Sequence, residues 1–338
     1  MRGITVPMLV LAMWAGGAAA QSARVVSTKW IGCIQVQYYT TEVATEPESR
    51  FELRRTRIGA ELGVRDWITG KVDADIASGS VVLKDVWVNL ALAPAFQLRA
   101  GRFKRPFSGI ALTGYSQLVM VERGVRIRGL PRADAAEEYD LLDQSGYLGW
   151  DTGAAAHGTV GTMLRYSVGL FNGGDASRAP RAAAARLSLS PLAGRPLRLS
   201  AAVSRQDVPG ATGTAWEGDV EWGAFRRPGL RLLAEMMAGD NLAAAAGNTP
   251  GMRGAQAQAA WYMPVMGSRV EGVELEGRVS YGDPDTGVDG DDGWLLTPGL
   301  AVYFFERDRV QVNWDAYMPS ASASGRHGAL IVQLQLVH

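Results

Sequence analysis

The chain of 338 residues has one cysteine, three histidines, no excess charge of either sign and no apolar run long enough to make a membrane-spanning helix. Each shortage removes a class of protein. Cys33 alone cannot close an internal disulfide, and the Trp30, Ile31, Gly32 tract before it departs from a lipoprotein cleavage site because tryptophan stands where an aliphatic residue belongs. His157, His327 and His338 have no metal-ligand spacing, so a zinc centre is not expected. With 34 basic and 34 acidic side chains there is no global field to draw nucleic acid. A helix needs about 20 apolar residues to span a bilayer, and the longest stretch here, residues 4–15, falls short. That stretch follows Arg2 and precedes Gly16, Gly17 and the small residues Ala18, Ala19 and Ala20, which reads as an export signal over residues 1–20.

What fills the remaining chain, residues 21–338, is alternation. Apolar and other residues change places every second position in runs of about ten, separated by Gly, Pro and Asp clusters. In the last run Leu330, Val332, Leu334 and Leu336 share one face and Gln333 and Gln335 the other. One face suits lipid and the other water, the pattern of a transmembrane antiparallel β-barrel. About sixteen strands are predicted, from 30–39 and 51–63 through 253–263 and 272–282 to 328–338, with short links such as 93–95 and 306–309 alternating with long ones such as 240–252 and 283–293. Trp67, Trp222, Trp261 and Phe304 are expected at one interface, and Tyr38, Tyr281 and Tyr317 at the other. Two residues strain the pattern. Arg54 shares the lipid parity of Ile58 and Leu62, and Pro298 requires a bulge or a strand end.

The opposite parity gives the lumen. Arg55, Arg57, Lys71, Arg99, Arg165, Arg186 and Arg198 concentrate in the first half, with Asp73, Asp75 and Asp85 among them. Glu217, Asp219, Glu221, Glu235, Glu274, Glu276 and Asp315 dominate the second half, beside Arg231 and Arg278, so a basic wall is expected to face an acidic one. A sixteen-stranded barrel is too wide for its own side chains to fill. The long segment 104–150 is the candidate to narrow it as an inward-folded third loop. Its beginning and middle carry Arg102, Lys104, Arg105, Arg123, Arg126, Arg128 and Arg132 against Glu122, and its end carries Asp134, Glu137, Glu138, Asp140 and Asp143.

Other chemistry is weakly signalled. Gly70 and Lys71 lack both the upstream glycine and the hydroxyl residue of a phosphate loop. His157 has no marked serine partner for a hydrolase. Asp283, Asp285, Asp289, Asp291 and Asp292 crowd one external link without EF-hand spacing.

The tracts KDVWV (84–88), LRAGRFKRPFS (98–108), VMVERG (119–124), DTGAAAHG (151–158) and LRYSVGLFNGGD (164–175) resemble, in order, the phosphate-selective porin O and P family. FELRRTRIGAELG (51–63) and AAARLSLSPL (183–192) are similar to that family's second and eighth strands. The resemblance implies a trimeric, sixteen-stranded outer-membrane porin whose third loop enters the lumen and whose basic residues pass anions along. The expected function is passive diffusion of small hydrophilic solutes, with phosphate or other small anions favoured, no bond made or broken and no cofactor. The constriction is assigned to Arg99, Lys104, Arg105, Arg123 and Arg126, and the pore lining to Arg55, Arg57, Lys71, Arg165, Arg186 and Arg198. Two alternatives stay open: a non-conducting barrel used for surface binding or adhesion, and a membrane-embedded hydrolase using His157.

Overall fold

The structure is a computed structural model that describes residues 27–42, 48–77, 79–127, 130, 134–173, 181–192, 196–244, 249–267, 269–320 and 325–338. The expected export signal, Arg128 and Arg132 lie outside the described residues. Sixteen strands follow in order: β1 (Ser27–Glu42), β2 (Glu48–Arg65), β3 (Ile68–Asp75), β4 (Val82–Ala93), β5 (Phe96–Lys104), β6 (Trp150–Val160), β7 (Leu164–Phe171) and β8 (Ala182–Leu189). The second half comprises β9 (Leu197–Val208), β10 (Ala211–Trp222), β11 (Gly229–Asp240), β12 (Gly251–Pro264), β13 (Gly272–Asp283), β14 (Gly293–Phe305), β15 (Asp308–Pro319) and β16 (His327–Val337). Each strand pairs antiparallel with its neighbours in sequence, and β1 closes on β16 into one barrel.

Closure leaves no edge strand, so the backbone polar groups of the wall pair within the sheet apart from local interruptions, which is what hydrocarbon demands. At the seam Gln35 pairs with Gln335 and donates a 2.7 Å side-chain bond to it. His338 extends the seam, its backbone exchanging 2.9 and 3.1 Å bonds with Gly32. Outward positions are aliphatic, as the alternation predicts: Ile58, Val88, Leu170, Met236 and Leu275 are all exposed. Trp67, Trp261 and Phe304 are exposed in the same way, while Tyr38 stacks with Phe51 and Tyr281 with Trp294.

The departures from strict alternation have local causes. The β1–β2 register shifts between Gln35 and Val36, which partner Arg55 and Leu53, so Arg54 stands unopposed as the extra residue of a bulge. A bulge re-aims side chains. Arg54 therefore turns inward beside Arg55, and both reach Glu122, which corrects the expectation of a lipid-facing arginine. Tyr317 also belongs inside: it has the inward parity of Asn313 and Asp315, is fully buried, and its hydroxyl accepts from Ala136 N–H at 2.6 Å. Pro298 lies within β14, at neither a bulge nor an end; pairing with β15 lapses at Thr297 and Pro298 and resumes in the same register. Proline has no N–H to give that ladder.

Between β5 and β6 the chain forms α1 (Gly109–Leu112), a single 3-10 turn (Tyr115–Gln117) and α2 (Glu138–Gln144). Its contacts run to the far side of the barrel. Gln311 and Arg309 on β15 donate to the carbonyls of Val119 and Leu118, Asn313 accepts from Val121 N–H, and Arg278 on β13 donates to the carbonyls of Glu122 and Arg123. These partners all have inward parity, which places the segment within the barrel. Its apolar side chains complete the packing: Phe107, Leu141, Leu142 and Tyr147 lie against Ala202, Ala215, Met237 and Met252, and Val121 and Ile127 against Tyr39, Leu295 and Ile331.

One glycine holds the wall together where the segment departs. Gly101 on β5 has φ of +128°, and a Cβ there falls 2.2 Å from the Val86 carbonyl oxygen. Gly101→Ala is expected to cost about 1–3 kcal/mol through backbone strain. It should lower the urea midpoint of the folded barrel in detergent, and an unchanged midpoint would show that the β4–β5 pair yields freely.

Candidate functional site

The inward bulge and the crossing segment together build a cavity of about 540 Å³ against β2 and β4. Arg54, Arg55, Arg57, Lys84, Arg123 and Arg126 line it, together with Asp75, Glu122, Asp140, Asp143 and Trp150. A second register shift, between Val72 and Ala74 on β3, sets Lys84 free of strict pairing on β4. The cation at Lys84 Nζ lies 4.8 Å from the centroid of the Trp150 ring, Lys104 Nζ lies 4.9 Å from it and the Arg57 guanidinium 5.0 Å. Arg57 also covers the Tyr115 ring at 4.4 Å. Three cations around one indole are tolerable because the ring face is electron-rich, each such contact contributing about 0.5–2 kcal/mol.

The basic groups divide by what already holds them. Glu122 takes Arg54 at 2.5 and 2.9 Å, Arg55 at 3.1 Å and Gln37 at 3.0 Å. Burial alone raises the Glu122 carboxyl, but Arg54 and Arg55 outweigh it and hold the group well below the usual carboxylate range. Arg57 pairs with Asp73 and Asp75 at 3.4 and 3.5 Å. Arg123 donates to the carbonyls of Ile110 and Thr113 within its own segment, and Arg126 pairs with Glu52 at 2.9 Å. Lys104 donates to the Ala111 carbonyl. Neither Lys84 nor Lys104 has a carboxylate partner among the described residues. Those two lysines are basic groups without a countercharge beside them among the described residues.

The structure thus gathers Arg123, Arg126, Arg55 and Arg57 around one space, sets Lys104 against the Trp150 ring beside it, and leaves other sequence-derived residues elsewhere. Arg105 is buried beside β6 and β9, bonded to Asp151, the Gly146 carbonyl and Gln206. Arg99 lies 4.3 Å over the Trp87 ring. Lys71 pairs with Asp85 at 3.2 Å, Arg186 with Glu217 and Asp219, and Arg198 with Glu221, while Arg165 is exposed on the inward parity. Lys84, Trp150 and Tyr115 were missed by the parity reading. Bulges conceal the first, and the other two lie at or beyond a strand end, where alternation carries no information. His157 Nε2 lies 2.7 Å from Asn89 Oδ1, and no serine bonds it among the described residues.

The crossing segment also decides which wall meets water. Among the described residues, no hydrogen bond joins residues 105–149 to β3, β4, β7 or β8, whereas bonds to β10–β16 are numerous. Glu217, Glu235, Glu274, Glu276 and Asp315 on that covered side are all buried. On the uncovered side Arg165 of β7 is exposed.

A model of the family described as phosphate-selective porin O and P matches residues 34–265. The chain belongs to that porin family. Among solved structures, this porin is similar to an anion-selective porin from Comamonas acidovorans, at 12 % identity over 92 % of this chain and 99 % of the other, with a TM-score of 0.64. It is similar also to the outer membrane channel DcaP of Acinetobacter baumannii, at 10 % identity over 91 % and 97 % with a TM-score of 0.62. The trimer form of OmpT from Vibrio cholerae matches at 12 % identity over 92 % and 99 %, with a TM-score of 0.61. No curated protein sequence matches significantly. Family and fold point to an outer-membrane channel in place of an enzyme.

Proposed function

We propose that this porin passes small hydrophilic solutes across a Gram-negative type outer membrane and prefers anions, phosphate among them. The supporting observation is the unequal covering of its two walls: the segment between β5 and β6 buries the acidic side, while Lys84 lines the remaining space and Lys104 lies against Trp150 beside it, both without carboxylate partners among the described residues. Balanced lumen charge therefore does not mean a neutral path. A unit charge acts on an ion about 4 Å away with about 4 kcal/mol at an effective dielectric of 20, enough to sort anions from cations. An anion would exchange part of its hydration for these contacts and leave again because no contact is strong alone. Lys104, Arg123 and Arg126 serve at the narrowing with Arg55 and Arg57, and Arg99, Arg105, Lys71, Arg165, Arg186 and Arg198 contribute to the field along the path. Residues 1–20 act as a cleaved export signal, and three copies assemble as a trimer.

The test is the reversal potential of purified protein in a planar bilayer under a tenfold salt gradient, with and without millimolar phosphate. Anion-selective current, reduced by phosphate, is expected. Cation selectivity or electrical silence would refute the proposal, silence pointing to a closed barrel used for binding.

A further inference from the structure

On the covered wall, Asp219 of β10 stands directly opposite Glu235 of β11, and Glu217 shares the inward face of β10. Like charges directly opposite each other destabilise a sheet unless something positive lies between them. Arg186, reaching from β8, supplies one positive charge: it bonds Glu217 at 2.9 Å and also Asp219. The crossing segment adds two backbone donors, Gly109 N–H to Glu217 at 3.4 Å and Ile110 N–H to Glu235 at 3.1 Å. It also adds a fourth carboxyl, for Glu138 at the start of α2 comes within hydrogen-bonding reach of Glu235. Four carboxyls thus share one guanidinium.

The shortage is visible atom by atom. Glu235 is 3 % exposed and Glu138 fully buried, yet no donor among the described residues reaches Glu235 Oε1 or Glu138 Oε1. Buried acceptors left this way are destabilising, the more so when charged. Burial first, and then Glu235, Glu137 and Glu217, push the Glu138 carboxyl well above its ordinary range. Beside the carboxyls is a void of about 10 Å³ bordered by Gly109, Ile110, Asp219 and Glu235, with Glu221 and its partner Arg198 at its edge. That is room for about one water-sized occupant.

We propose that Glu217, Asp219 and Glu235 hold one calcium ion where the crossing segment meets β10 and β11. One carboxylate oxygen of each lies within 4.8 Å of the others, close enough to meet on one ion. A water-poor cage of carboxylate oxygens suits calcium, which takes about 6–8 oxygen ligands in flexible geometry, whereas magnesium holds to an octahedron and keeps several of its waters. The aspartates of residues 283–293 form no such group among the described residues.

Calcium titration by calorimetry tests this, using the full chain refolded into lipopolysaccharide-free detergent at pH 8, with folding checked by heat-modifiable mobility. One ion per chain is expected, with magnesium at least tenfold weaker. Asp285→Asn with Asp289→Asn and Asp292→Asn should keep the site, whereas Glu235→Gln and, separately, Glu217→Gln should weaken it at least tenfold while the barrel stays folded. No calcium heat, or heat that survives both glutamine variants, would overturn the proposal, as would its loss in the aspartate-loop variant alone.

Discussion

Lys84→Gln combined with Lys104→Gln is expected to lower the anion-to-cation permeability ratio by about tenfold. Each ammonium at about 8 Å from a passing ion contributes about 2 kcal/mol at an effective dielectric of 20. Salt near 0.1 M screens over about 10 Å and removes part of this. Losing two such charges leaves a net change near the 1.4 kcal/mol that corresponds to one decade. The barrel should fold normally, since neither lysine has a carboxylate partner among the described residues and glutamine at 104 can still donate to the Ala111 carbonyl. Lys71→Gln combined with Asp85→Asn is the matched control. The two charges pair at 3.2 Å, so removing both takes away a dipole's field and leaves the net charge unchanged. Reversal potentials measured at 0.1 M and again at 1 M salt would show the deficit of the Lys84 and Lys104 variant shrinking as screening grows. Equal effects of the two double variants would refute the assignment of the selectivity field to Lys84 and Lys104.

The reason these lysines are harder to find than the strands lies in what alternation encodes. Side-chain parity repeats with period two, so it reports the lipid face wherever the backbone pairs regularly. All sixteen strands were legible on that basis, including the seam, where Leu330, Val332, Leu334 and Leu336 face out and Gln333 and Gln335 face in. A bulge shifts parity by one, and nothing in the residues of 51–57 or 82–86 announces it. Arg54 was consequently placed outside and Lys84 was left unassigned, yet both line the same cavity. Tyr317 was misplaced for another reason: tyrosine suits a membrane interface and a buried hydroxyl bond equally well, and only the distant Ala136 N–H distinguishes them.

The site was partly legible because charge density survives without a fold. The basic residues of the crossing segment stand out in the sequence, and two of them, Arg123 and Arg126, do gather with Arg55 and Arg57, with Lys104 against Trp150 beside them. Their bonding could not be read. Most of these guanidiniums hold backbone carbonyls or carboxylates, as Arg123 holds Ile110 and Thr113, so they shape the passage first and act on ions second. The acidic half of the lumen was likewise read correctly as carboxylates, but their removal from water depends on which strands the segment covers, a long-range fact that no local pattern contains. Arg231, Arg278 and Arg309 belong to the same covered side, where each donates to a carbonyl of the segment.

Glu122→Gln should have the opposite effect on selectivity and a larger one on the structure. Arg54 and Arg55 meet at this single carboxylate, and Arg55 is 5 % exposed, so neutralising Glu122 strands two adjacent guanidiniums in a poorly solvated space. Breaking a buried pair from one side costs about 3–5 kcal/mol. The segment is expected to loosen from β1 and β2, giving larger and noisier single-channel conductance, while the released arginines make the path more anion-selective. Protonation should mimic the substitution. Because the folded Glu122 carboxyl titrates well below its ordinary value of 4.5, its contribution is fully present above pH 4.5 and is lost as pH falls below that value toward the depressed one. Wild-type channels should therefore be steady at pH 7 and grow noisy on acidification below pH 4.5, whereas the glutamine variant should be noisy at both. Traces from the variant that are as quiet as wild type at pH 7, with unchanged reversal potential, would remove Glu122 as the clamp between the crossing segment and the wall.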